Sequence, residues 1–68
     1  MDVNFSINGD EQTLELTEQQ AKEWDADLIA TACAEAFNDD NPNPVFKGEV
    51  VISEPEHIAG TYEFDLSK

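Results

Sequence analysis

Apolar and polar residues alternate strictly in several short stretches of this chain. "DVNFSI" places Val3, Phe5 and Ile7 on one face, and "TLELT" does the same with Leu14 and Leu16, the period of half-buried strands. Between them "NGDE" is a turn signal. A two-residue Asn-Gly turn sets Phe5 opposite Gln12, whereas a four-residue loop of residues 8–11 sets Phe5 opposite Leu14 and Val3 opposite Leu16. Register follows the buried face, so the longer loop is expected.

A second pair of strands follows near the end. "VFKGEVVIS" puts Phe46, Gly48, Val50 and Ile52 on one face, and Ile58, Gly60, Tyr62, Phe64 and Leu66 share a face after the turn "SEPEH". A loop of residues 53–57 pairs Phe46 with Phe64, Gly48 with Tyr62 and Val50 with Gly60, letting Tyr62 cover the gap at Gly48. On the outer side that register sets Lys47 across from Glu63, Thr61 across from Glu49 and Val45 across from Asp65. Glu63 is then partly neutralised, Asp65 is the freest charge, and Val45 and Val51 leave apolar ground on the outer face.

The middle of the chain reads as helix. Thr17 caps it with Gln20 at the capping-box spacing, and Ala21, Trp24, Leu28, Ile29, Ala32, Cys33 and Ala36 form a broad apolar stripe. Asp25 falls near the middle of that stripe, where an unpaired carboxylate is costly. It therefore caps a second helical segment after a kink, with Trp24 stapled on Ile29, or marks a helix end lying beyond the sheet edge. Pro42 and Pro44 in "NDDNPNP" end the helix.

Hairpin, helix, hairpin is the order of a two-layer α+β domain, ββαββ, with one helix on a four-stranded sheet. One domain spans residues 1–68. The layout, carried by "FSING", "AEAFNDDN" and "TYEFDL", resembles a β-grasp such as the small immunoglobulin-binding domains of streptococcal surface proteins. That resemblance implies strand order 2-1-4-3 with a parallel central pair. It implies no function, because one such layout hosts many activities.

Composition changes the picture mainly through charge. The chain carries 16 Asp and Glu against three Lys and no Arg, a formal net charge of -13. Such an excess opposes compaction and attracts cationic partners, so direct binding to nucleic acid or an anionic membrane is excluded on electrostatic grounds. No apolar run approaches the roughly 18 residues of a membrane span, and "MDVNFSING" lacks the basic start of a secretion signal, which predicts a cytoplasmic protein. Cys33 is the only cysteine and reads as a small buried hydrophobe.

The polar residues offer little catalytic chemistry. Asp39, Asn41 and Asn43 have the spacing of the first three ligands of an EF-hand, but Pro44 stands where that loop needs Gly and Val50 where it needs a bidentate Glu. A solvated linker fits better than a metal site. Ser53 and His57 lie in a short turn with no orienting carboxylate and no oxyanion site, so an exposed turn histidine outweighs a nucleophile-base pair. Trp24 on an apolar face is core before it is a partner anchor. No enzyme, cofactor or metal is expected.

The carboxylates are the remaining signal. Glu23 and Asp27, four apart on a continuous helix, repel. Acids two apart on a strand lie about 6.6 Å apart, a repeat resembling that of successive phosphates along a nucleic-acid strand. Solubility, adaptation to high salt and mimicry of nucleic acid all explain such a surface; the lack of Arg disfavours high salt. A short chain, 16 acids, no Arg and a minimal α+β fold together resemble phage-encoded inhibitors that imitate DNA, including anti-CRISPR proteins. That resemblance implies a non-enzymatic inhibitor of a basic nucleic-acid-binding protein, such as a Cas complex subunit in the host bacterial cytoplasm. Glu15, Glu23, Asp27, Glu35, Asp39, Asp40, Glu49 and Asp65 are the candidate contact residues, with the helix and the Asp39 and Asp40 loop foremost. A general acidic protein-interaction domain and a halophile-adapted protein of unrelated function remain the alternatives.

Overall fold

A computed structural model describes residues 1–39 and 41–67. Strands β1 (Asp2–Ile7) and β2 (Asp10–Glu15) lead into helices α1 (Glu18–Glu23) and α2 (Ala26–Asp39), followed by β3 (Lys47–Glu54), a 3-10 turn at Glu56–Ile58, and β4 (Gly60–Asp65). This is the expected ββαββ order in two layers. Among the described residues no helix is long and apolar enough to cross a membrane.

The strand order departs from the β-grasp. It is β2-β1-β3-β4, with every neighbouring pair antiparallel, in place of 2-1-4-3 with a parallel central pair. The reason lies in the strands' composition. Val50 and Ile52 of β3 are fully buried, which suits a central strand, whereas β4 buries only Phe64 and is otherwise exposed or half-exposed. The more polar β2 and β4 take the edges, where their acids discourage edge-to-edge pairing.

Both hairpins differ in register from the expectation by two residues. In the first, Asn8 (φ 54°) and Gly9 (φ 86°) form a tight two-residue turn, so Phe5 stands opposite Gln12 and Val3 opposite Leu14. Positive φ at both positions gives the turn the twist of the flanking strands, and this outweighs the burial gained by a longer loop. Gln12 is consequently exposed although it shares the inner face. In the second, Ile58 leaves the strand for the 3-10 turn and is buried from there, lengthening the loop. Val50 now pairs with Tyr62 and Gly48 with Phe64, and the Tyr62 hydroxyl donates to the Ile58 carbonyl at 2.6 Å. Phe64, not Tyr62, covers Gly48: its ring lies 3.7 Å from where a Cβ would stand. Phe46, expected in the core, is 53% exposed.

The helix divides where Asp25 interrupts the apolar stripe. The Thr17 hydroxyl accepts from the Gln20 N–H at 3.1 Å, and the Gln20 side chain accepts from the Thr17 N–H at 2.9 Å, closing the capping box of α1. Trp24 is extended (φ -89°, ψ 132°), and Asp25 Oδ1 then accepts from the Leu28 N–H at 2.8 Å to cap α2. The break changes the phase of the second helix. Ala30, Ala34 and Phe37 join Ile29 and Cys33 in the core, while Leu28, expected inside, is 46% exposed. Trp24 packs half-buried against the core. The core's other wall is Val3, Phe5, Ile7, Val50, Ile52 and Phe64 on the inner face of the sheet. Burial pushes the Cys33 thiol up to about 12, leaving it a neutral hydrophobe.

Candidate partner-binding surface

Every Asp and Glu among the described residues is exposed, and no polar or charged side chain of theirs lies in the core. Several of the carboxylates gather in two fields on opposite layers.

The first field is the outer face of α2. At 100° per residue, Asp27, Glu35 and Asp39 fall within an arc of about 120°, together with Leu28. Asp27 sits in the first turn, where it complements the helix dipole. Glu35 and Asp39 are one turn apart and repel mildly. Glu23 does not belong to this ridge: it ends α1, before the break, and accepts from Gln19 Nε2 at 3.3 Å. The expected repulsion between Glu23 and Asp27 on one helix therefore does not arise. Asp40 lies outside the described residues.

The loop beyond α2 is tied down by Asn38. Its Nδ2 donates to the Val45 carbonyl and its Oδ1 accepts from the Val45 N–H, both at 2.8 Å. Asn41 Oδ1 accepts from the Asn43 N–H at 2.9 Å. The Asn residues that imitate an EF-hand spacing thus serve the loop itself. Among the described residues no group of three His, Cys, Asp or Glu is placed to hold a metal ion. His57 is exposed in the 3-10 turn, and the Ser53 hydroxyl donates to the Asn4 carbonyl at 3.1 Å.

The second field is the outer face of the sheet, away from the core. The observed register brings Glu49 opposite Glu63, Lys47 opposite Asp65, Val51 opposite Thr61 and Glu15 opposite Asp2. Two expectations are corrected by this. Glu63 is not faced by Lys47, and Asp65 is not the freest charge: it stands across from Lys47 and accepts from the Ser67 N–H at 3.0 Å. Val45 packs against the core instead of lying open beside Val51. Toward the centre of the face Thr13 Oγ1 donates to Asn4 Oδ1 at 2.8 Å and Asn4 Nδ2 reaches Glu54 at 3.4 Å. A shallow groove of about 450 Å³ lies there, lined in part by Ser6, Glu11, Val51 and Ser53. A second depression of about 640 Å³ is lined by Lys47, Gly48, Glu49, Glu63, Phe64 and Asp65.

Of the candidates, Asp27, Glu35 and Asp39 are gathered on one surface, and Glu15, Glu49 and Asp65 on the other. The sequence places Glu63 on the outer sheet face but opposite Lys47, and Asp2 and Leu28 are not among its candidates. That Glu63 opposes Glu49 follows only from the observed register, and that Leu28 is exposed only from the phase of α2. No family profile, curated protein or solved structure matches the chain.

Proposed function

We propose that this chain is a non-enzymatic inhibitor that presents carboxylates where a nucleic acid presents phosphates, and so occupies the cationic site of a nucleic-acid-binding protein. A Cas effector in the cytoplasm of a phage-infected bacterium is the most concrete such target. One observation carries this reading: among the described residues every acid is exposed while the core holds no charged or polar side chain, so the charge excess has no internal structural role. Self-repulsion on this scale works against a small fold, which points to use at a surface. Glu63 and Asp65, two apart on β4, and Glu35 and Asp39, four apart on α2, have spacings of roughly 6 to 7 Å that resemble the phosphate repeat of a nucleic-acid strand.

Immobilised protein in bacterial lysate at low salt should retain a nucleic-acid-binding protein that high salt or added duplex DNA releases. Retention of partners without a nucleic-acid role, or retention insensitive to duplex DNA, would overturn mimicry in favour of a general acidic interaction domain.

A further inference from the structure

Between the two acidic fields, the arrangement of charge distinguishes one. On α2, Asp27 is accounted for by the helix N-terminus, and Glu35 and Asp39 are successive side chains on a solvated helix face. On the sheet, Glu49 and Glu63 are directly opposed across neighbouring strands, a placement that opposes strand pairing. The rows on either side offset it only in part: Lys47 is the one cation beside Glu49, Glu63 and Asp65 around the same depression, and Val51 and Thr61 are neutral. The like-charged pair stands beside a depression, and the residue next to it along β3 on the same face is Val51, 44% exposed.

We propose that the uncovered sheet face is the docking surface for the basic partner, and that Glu49 and Glu63 receive an arginine of that partner between them, its methylene stem on Val51. The inference rests on the inhibitor reading for the partner's basic character and goes further by naming the face and the side chain. Charge complementarity selects a cation. Side-chain chemistry favours arginine over lysine, because a planar guanidinium has N–H donors along several edges and can serve two carboxylates at once, whereas an ammonium is a compact, strongly hydrated charge. The stem of an arginine also lies readily on an apolar side chain. The hydroxyl-lined groove beside Val51 leaves room for the residues flanking that arginine.

The test is a titration of the full chain, followed by the backbone amide signals in NMR at low salt, with tetra-arginine and with tetra-lysine as an equally charged comparison. Saturable shifts are expected at Glu49, Val51, Thr61 and Glu63, with tetra-arginine bound about threefold tighter than tetra-lysine. Glu63→Gln should weaken tetra-arginine about fivefold while raising the thermal midpoint, so lost binding cannot be ascribed to lost fold. Shifts centred on Asp27, Glu35 and Asp39, or equal affinity for the two peptides, would overturn the docking face and leave the inhibitor reading standing. Absence of any saturable shift would overturn both. In lysate, the double variant Glu49→Gln, Glu63→Gln should lose the partner while Glu35→Gln, Asp39→Asn keeps it; the reverse pattern would overturn the proposal.

Discussion

The two faces of the sheet respond differently to one structural change. Each hairpin pairs two residues away from the register that maximal burial suggests, yet Val3, Phe5, Ile7, Val50, Ile52 and Phe64 still point inward. Side chains alternate with period two, so an even shift leaves each apolar residue on its own face. On the outer face the same shift changes which charges meet. Lys47 moves from Glu63 to Asp65, and Glu63 comes to face Glu49. Which apolar residues of the paired strands face inward is thus insensitive to turn geometry, while the charge pairs of the outer face are decided by it.

The inner face should give the largest mutational effects. Ile52 is 1% exposed and stands opposite Phe5 across the β1–β3 junction. Ile52→Ala should cost about 3 kcal/mol by urea denaturation, a large part of the stability expected for a chain this short. A cost below about 1 kcal/mol would contradict its central place. Cys33, on the helix side of the same core, adds a pH dependence. Folding raises its thiol from 9.0 to about 12, so its contribution to stability is whole below pH 9 and is lost as pH climbs toward 12. At pH 10 the wild type should have lost about 1 kcal/mol relative to Cys33→Ala, each normalised to its own value at pH 7. Parallel profiles for the two proteins would show that the thiol ionises freely in the fold.

What could be read in advance depended on how local the cause was. Thr17 with Gln20, and Asp25 with the N–H three residues on, announce helix starts because a cap needs only neighbours in sequence. Cys33 was legible as core from its apolar setting. Phe37, Ala30 and Ala34 were not, since a stripe drawn through a continuous helix loses its phase at the extended Trp24. Strand order was illegible for another reason: β3 and β4 compete for the centre, and the competition is settled by total burial in the assembled sheet. The candidate surface inherited that uncertainty. Glu49 was identifiable as exposed, but its partner Glu63 depended on how Ile58 would be used.

The first turn offers a way to disturb the register directly. Gly9 has φ 86°, and a Cβ there would meet nothing within 4 Å, so Gly9→Ala should act through backbone conformation alone. A loss of about 1 kcal/mol is expected, by thermal or urea denaturation. No loss would mean that the hairpin tolerates another turn, with Phe5 free to move opposite Leu14. Cross-strand contacts between the α-protons of Phe5 and its partner would then show which register is occupied.

The smallest effect should also have the opposite sign, and it probes the outer face alone. Replacing Glu63 by Thr removes one member of the opposed pair while supplying a β-branched side chain suited to a strand. Glu63→Thr should stabilise the fold by roughly 0.5 kcal/mol at low salt, and the gain should shrink as added salt screens the repulsion. Asp65→Thr on the same strand is the comparison, because Asp65 faces Lys47 and accepts from the Ser67 N–H. That replacement should be neutral or destabilising. In the register that pairs Lys47 with Glu63, the signs of the two substitutions would exchange. The pair of measurements therefore reads the register from stability alone, and with it whether the sheet presents Glu49 and Glu63 together.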